Sequence, residues 1–261
     1  MSEFQNAQEE WDRIWMQFHK GLARNPGRLY RYKIINQAIR TSMNSGNQSI
    51  VDIGCGTGEL LSHLAVEFSP HNLLGLDISK VGILKAQENY PNLNFALIEV
   101  NDEGFSSRTM TSAADIIVCS EVLEHLEEPK EILRFISNNL LANGVLIVTV
   151  PAGPMSFLER YIGHHRHYTR ESLTLLLDDS GFRNIEVQRA GFPGINLIRI
   201  ASKLRGKRIL NDVAESRRKP IILGFGLQIA EIILRYSLKD SKFGWQLVAV
   251  CYKEVPTNSG V

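Results

Sequence analysis

The chain has 261 residues, 44% hydrophobic and 22% charged, which places it among soluble globular proteins with one large α/β domain plus additions, or two small domains. A net charge of +1 gives no global sign of nucleic-acid binding. No apolar run approaches the ~20 residues of a membrane span, the N-terminal MSEFQNAQEEWDRIW lacks the basic and apolar regions of a signal peptide, and the three cysteines (Cys55, Cys119, Cys251) form no CxxC pair, so a cytoplasmic protein with reduced thiols is expected.

Residues 3–20 carry Phe4, Ala7, Trp11, Ile14, Trp15 and Phe18 at spacings of three and four, which predicts a helix packed by its aromatics. A turn at Asn25–Pro26–Gly27 leads to a second helix over 28–39, with Leu29, Tyr32, Ile35 and Ile39 on one face. Arg28, Tyr30 and Arg31 lie on its other side, as solvated surface or within reach of a substrate.

After a polar loop the chain reads I-V-D-I-G-C-G-T-G-E-L over 50–60: an apolar strand, an acidic residue, and glycines at 54, 56 and 58 before a helix expected over 59–68. Glycine takes positive φ in a tight turn and lets backbone approach a ligand, and the helix that follows begins with unpaired N–H groups. The pattern is a nucleotide-type cofactor loop. It reads GxGxG and not the GxGxxG of dinucleotide sites, and a carboxylate at Asp52 suits a cationic ligand such as S-adenosylmethionine. A strand over 73–76 ends at Asp77, about twenty positions beyond the glycines, where a carboxylate accepts from ribose hydroxyls or caps the helix expected over 79–89. A third strand is expected over 95–100.

The fourth strand, 114–119, runs into S-E-V-L-E-H-L at 120–126. Helical spacing would put Glu121, Glu124 and His125 on one face, as a general base with electrostatic support or as three metal ligands. A helix from Pro129, a turn at Asn143–Gly144 and a buried parallel strand over 145–150 follow. Residues 152–168 show no sustained period and hold His164, His165 and His167, in a position where loops carry specificity. Thr169 caps a helix over 170–180, and 182–188 reads as a strand.

Two helices are then expected, an amphipathic one over 195–204 and a more apolar one over 221–238. Between Arg199 and Lys219 eight basic residues face two acidic ones, a local charge of +6. Such a segment suits a membrane surface, an amphiphilic substrate, phosphate groups, or a cap or dimer surface. A last strand over 245–252 and a disordered tail from Val255 complete the chain.

The stretch VDIGCGTG resembles the first motif of class I S-adenosylmethionine-dependent methyltransferases, and both VLEHL and H-Y-T-R-E-S-L-T-L-L-L-D-D-S-G-F resemble the small-molecule branch of that family. The resemblance implies a Rossmann-like, doubly wound, mostly parallel seven-stranded sheet with an antiparallel last strand. It also implies an N-terminal helical lid (1–45), a cofactor-binding core (46–194), a helical insertion (195–243), and a last strand with tail (244–261). The cofactor residues it implies are Asp52, Gly54, Cys55, Gly56, Gly58, Asp77, Ile78, Ser120 and Glu121. Glu99 is the adenine contact, with Asn101 and Asp102 as rivals.

The ExxEH spacing is similar to the metal-binding helix of ubiquinone-biosynthesis O-methyltransferases and of enzymes that methylate the terminal 2′-hydroxyl of small RNAs. In the latter a later histidine is the fourth ligand, for which His164 is the candidate here. The implied roles are His125 as base supported by Glu121 and Glu124, or Glu121, Glu124, His125 and His164 as ligands of a divalent ion. The expected reaction is methyl transfer to a small-molecule oxygen, on an acceptor of amphiphilic or lipid-like character. The alternatives are a metal-assisted RNA 2′-O-methyltransferase and a non-catalytic cofactor-binding partner protein. A nucleic-acid partner is not expected; lipid contact through 195–243 and a monomer or homodimer are.

Overall fold

Short buried strands separated by amphipathic helices can pair in parallel only if helices cover both faces of the sheet. The computed structural model, which describes residues 3–23, 26–42, 47–101, 104–106, 110, 112–206 and 232–254, has this arrangement. In chain order the elements are α1 (Glu3–Ala23), α2 (Pro26–Ser42), β1 (Ile50–Ile53), α3 (Glu59–Leu64), β2 (Leu73–Asp77), α4 (Lys80–Asn89), β3 (Asn94–Leu97), β4 (Glu99–Asn101) and β5 (Gly104–Ser106). They continue with β6 (Ala114–Ser120), α5 (Pro129–Asn139), β7 (Leu140–Pro151), α6 (Phe157–Tyr161), α7 (Arg170–Asp179), β8 (Phe182–Ala190), α8 (Gly194–Arg205) and β9 (Gln246–Lys253).

The seven-stranded sheet has the order β3-β2-β1-β6-β7-β9-β8. Neighbours from β3 to β7 pair in parallel, and β9 runs antiparallel to both β7 and β8, as expected for the last strand. Alternation along β6 divides the core. Ile116 and Val118 face Ile35, Ile39, Leu61 and Leu64 from α2 and α3, while Ile117 and Cys119 face Ile132, Leu133, Ile136 and Leu173 from α5 and α7. Each such side chain contributes about 1.5–3 kcal/mol through burial, which fixes the strand register and so the strand ends that carry the site. All three cysteines are buried and unbridged.

Several boundaries differ from the sequence expectation. Pro26 and Gly27 open α2 and are not a separate turn, consistent with proline at a first helical position. The helix after the glycines ends at Leu64. The third sheet strand stops at Leu97, and Glu99 begins a separate two-stranded ladder in which it pairs with Ser106. Residues 120–126 are not a helix: only a 3-10 turn, Leu123–His125, forms. The aperiodic 152–168 stretch contains α6, opened by a capping box in which Ser156 and Glu159 satisfy each other's backbone amides.

The helix expected over 221–238 is described only from 232. The basic residues 207–219, the tail from 255, rival contact Asp102, and the side chains of Phe4, Phe18 and Asn101 lie outside the described residues. No helix among the described residues is long and apolar enough to cross a membrane.

Candidate active site

β1 leads on to β2 and β3 on one side of the sheet, β6 to β7 on the other, yet β1 and β6 are neighbours, with Ile53 registered against Cys119. A crevice opens beyond the carboxyl ends of such a pair, and open α/β sheets bind ligands there.

The glycine loop lines one side. Gly54, Gly56 and Gly58 have φ of 76°, 55° and 86°, all in the left-handed region. Leu76 O accepts from Gly54 N (2.7 Å) and Cys55 N (3.1 Å), tying the loop to β2. Asp77 completes the tie: Oδ2 accepts from Gly56 N at 2.7 Å and Oδ1 from Ser79 N at 2.8 Å. The cap of α4 is Ser79, whose Oγ accepts from Gly82 N, so Asp77 is left to the loop. Burial pushes the Asp77 pKa up to about 6, against the pull of the two amides.

Asp52 lies within β1, beside Gly75 and Val118, and not at its tip. It is 2% exposed, and burial followed by the Asp77 charge holds its carboxyl well above the usual range. Cys55 is buried beneath the loop, and Ile78 turns its carbonyl to Gln8 Nε2 at 2.7 Å. Glu99 is exposed, one residue past Ile98, whose amide donates to Asp77 O.

The N-terminal helices roof the crevice. The Trp15 ring covers the Cα of Gly56, and Trp11 meets the His125 ring edge-on with centroids 4.7 Å apart. Asp12 Oδ1 accepts from Ser79 Oγ at 2.5 Å and from Val81 N at 3.0 Å. Arg28 pairs with Glu59 at 3.1 Å and donates to Tyr32 Oη. Trp15 Nε1, Arg28 Nη1 and Arg31 Nε are buried donors without a hydrogen-bond partner among the described residues. Donors left unmet in a ligand crevice fit an anionic group such as a carboxylate.

The other side is built by 120–126, 156–167 and β9. Glu121 takes φ of 57° directly after β6, which separates it from the 3-10 turn. Its carboxylate accepts from Gln246 Nε2 (2.8 Å) and Thr149 Oγ1 (3.2 Å) and lies 3.7 Å from Arg31. Ser120 Oγ is 2.8 Å from Thr149 Oγ1. The expected shared face of Glu121, Glu124 and His125 is therefore absent. The cluster that forms is Glu124, His125 and His164, whose ligand atoms lie within 4.8 Å of one another; Glu121 is not in it.

Glu124 is fully buried and neither carboxylate oxygen has a hydrogen-bond partner among the described residues. Burial, then Glu121, raises its pKa well above the carboxylate range. Burial and then His164 push His125 down to about 3, and its Nδ1 is also unpartnered. The imidazole expected to act as a base is thus neutral and weakly basic. His164 Nδ1 is 3.2 Å from His167 Nε2, and His167 Nδ1 is 2.9 Å from Gly153 O. Arg199 Nη2 is 3.2 Å from the same His167 Nδ1, so that nitrogen faces both a donor and an acceptor. Two imidazoles and a carboxylate suit a divalent ion of the zinc or manganese type.

Behind this cluster Arg199 of α8 pairs with Glu159 at 2.8 Å and donates to the carbonyls of Trp245 and Pro154, so α8 clamps 152–168. His165 is exposed, 4.0 Å from Glu127. Thr149, Glu159, Arg199 and Gln246 stand outside the sequence motifs. The S-F-L-E capping box signals Glu159, whereas nothing local marks Gln246, a glutamine at the start of an apolar strand.

A methyltransferase-domain family matches residues 17–187. The trans-aconitate 2-methyltransferase of Deinococcus radiodurans is 27% identical over 210 residues, covering 76% of this chain and 74% of that protein. The mitochondrial ubiquinone biosynthesis O-methyltransferase of Saccharomyces cerevisiae is 33% identical over 101 residues, covering 38% of this chain and 32% of that protein. Among solved structures, an S-adenosylmethionine-dependent methyltransferase from Thermotoga maritima shares the fold with a TM-score of 0.59 at 15% identity, covering 95% of this chain and 99% of that one.

Proposed function

The chain belongs to the methyltransferase-domain family, and from that premise we propose that it transfers the methyl group of S-adenosylmethionine to a hydroxyl oxygen of a small amphiphilic acceptor. One observation carries the reading. Trp15 on Gly56 and Trp11 on His125, successive turns of α1 with ring centroids 6.0 Å apart, bring the glycine loop and the Glu124–His125–His164 cluster under one roof.

When bound, S-adenosylmethionine supplies a methyl group on a positively charged sulfur. The chain's part begins with Gly54, Gly56 and Gly58, which admit the cofactor to the backbone. Asp77 keeps lone pairs for the ribose hydroxyls beyond those used by Gly56 and Ser79. Arg28 and Trp15 offer unmet donors to a carboxylate. The tryptophans exclude water and hold the acceptor oxygen in line with the methyl group, and such positioning supplies much of the rate in a two-substrate displacement. Formation of the C–O bond would be balanced by cleavage of the methyl–sulfur bond, leaving a neutral thioether, and the hydroxyl proton would pass from the alkylated oxygen to neutral His125, with Glu124 beside it. A named relative in ubiquinone biosynthesis, an O-methyltransferase, supports oxygen as the acceptor atom.

A second reading adds a divalent ion on Glu124, His125 and His164. The orphaned, fully buried Glu124 carboxylate favours it, because a buried acid without hydrogen bonds is costly unless a cation or donor reaches it. Glu124, His125 and His164 would hold such an ion, which would lower the pKa of an acceptor hydroxyl, and His125 would then serve as a ligand and not as the base.

The test is calorimetry with S-adenosylmethionine, followed by transfer of labelled methyl to matched amphiphilic acceptors ending in hydroxyl, carboxyl or amine. Saturable binding with transfer to the hydroxyl series is expected. Absence of cofactor binding would defeat the enzyme reading, and transfer confined to amines would defeat the oxygen assignment.

A further inference from the structure

α8 has two unlike faces. Asn196 and Arg199 point inward, to Phe243 O, Pro154 O and Glu159, and Ile195 is buried. Leu197, Ile200 and Leu204, spaced by three and four residues, share the opposite face and are all exposed, Leu204 at 83%. Residues 232–243 lie alongside: Gly194 N donates to Ser237 Oγ at 3.0 Å, and the Phe192 and Phe243 rings are 5.7 Å apart. This second segment presents Ile232, Tyr236, Leu238 and Phe243 to solvent, the last at 67% exposure. Seven large apolar side chains from two adjoining segments are more than the scattered singles normal on a surface.

The same two segments, 194–206 and 232–243, carry six basic residues and one acidic one, and five of the basic residues are exposed, Arg199 being turned inward onto Glu159, in a chain whose net charge is +1. Lys203, Arg235 and Lys242 are exposed on the same two segments. We propose that this surface docks the protein on an anionic lipid bilayer, with the aliphatic and aromatic side chains in the headgroup and acyl boundary and the basic residues on the phosphates.

Charge decides between occupants. A second copy meeting this face across a two-fold axis would set basic surface against basic surface. RNA would match the charge but offers nothing that buries leucine and isoleucine. A bilayer with acidic headgroups satisfies both. Because Arg199 ties α8 to the carbonyls of 152–168, docking also brings the acceptor side of the crevice close to the lipid. The proposal rests on this surface and not on the chemistry of the acceptor.

Sedimentation of the full chain with phosphatidylcholine vesicles, with and without phosphatidylglycerol, tests it. Binding to the anionic vesicles alone is expected, weakening about tenfold as salt rises from about 0.1 to about 0.5 M. Ile200→Asp with Leu204→Asp, both exposed, should lower vesicle affinity at least tenfold, and Lys203→Glu should do so in low salt only. Calorimetric affinity for S-adenosylmethionine should not change in either variant. Absence of binding to anionic vesicles overturns the proposal and leaves the face to residues 207–231 or to a second copy. Binding indifferent to both variants, a concentration-dependent dimer broken by them without vesicle binding, or salt-sensitive binding to RNA alone each overturns it as well. Failure of the wild-type protein to bind S-adenosylmethionine would defeat the enzymatic reading while leaving the vesicle result standing.

Discussion

The indole of Trp15 occupies the space a side chain at Gly56 would need, and Gly56 itself sits at φ of 55° with its amide on Asp77. α1 and the glycine loop are thus fitted to each other through one missing methyl group. Gly56→Val must hold a left-handed backbone conformation, at about 1–2 kcal/mol, and must displace the tryptophan. Cofactor affinity is expected to fall about 100-fold or more, equal to about 3 kcal/mol. Calorimetry reads this directly, and unchanged affinity would refute the fit. Trp15→Ala, which opens the roof without straining the loop, should cost about tenfold.

Asp12 fastens the same helix. Its Oδ1 takes both Ser79 Oγ and Val81 N at the start of α4, a capping contact supplied from another element. Asp12→Ala removes it, at about 1 kcal/mol as for a lost N-cap. Hydrogen exchange should quicken along α1 and the first turn of α4 and stay unchanged in β6 and β7. Uniform acceleration would show instead that α1 unfolds only with the whole domain.

Asp77 makes the loop sensitive to pH. Its pKa is raised by burial from about 4 to about 6, so the folded state holds the proton more tightly than the unfolded chain. Its contribution to stability is fully present below pH ~4 and is lost as pH rises through about 6, by about 3 kcal/mol for two units. Cofactor binding has the opposite sign, since only the ionised carboxylate accepts from Gly56, Ser79 and two ribose hydroxyls at once. Affinity for S-adenosylmethionine should rise about tenfold between pH 5 and pH 7. Asp77→Asn should bind more weakly and show a flat profile over that range; a profile identical to wild type would assign the titration to another group.

The shape of the glycine loop and the Asp77 strand end are legible in the sequence because their determinants are local. Three glycines, a strand before them and an acid at the next strand end are set within 28 residues, Ile50 to Asp77, and each has a backbone reason to be where it is. The other half was misjudged at one residue. Periodicity treats Glu121, Glu124 and His125 as one helical face, but β6 ends in a left-handed Glu121, and a single reversed φ redirects its side chain towards β7 and β9. Gln246, which holds that carboxylate, lies 125 residues away on the last strand. No local pattern announces a partner that only sheet topology brings near. The Glu124–His125–His164 grouping, by contrast, is half visible: the ExxEH spacing and the later histidine point to it, but they also draw in Glu121, which lies outside the cluster.

The separation of Glu121 from the cluster yields a discriminating experiment. If a divalent ion binds, Glu124, His125 and His164 hold it, because their donor atoms lie within 4.8 Å of one another and the Glu124 oxygens have no other hydrogen-bond partner among the described residues. Glu121 is already engaged by Gln246 and Thr149. Titration of manganese or zinc into the wild-type protein should show one site. Glu124→Gln, His125→Ala and His164→Ala should each weaken it about 10- to 100-fold or abolish it, while Glu121→Gln should keep the stoichiometry and change the affinity by less than about threefold. The Glu124→Gln protein should also gain thermal stability at neutral pH in the absence of metal, since it removes a buried carboxyl whose ionised form the pocket disfavours. Equal losses for Glu121→Gln and Glu124→Gln would restore the four-ligand arrangement and show that Glu121 turns inward when an ion arrives.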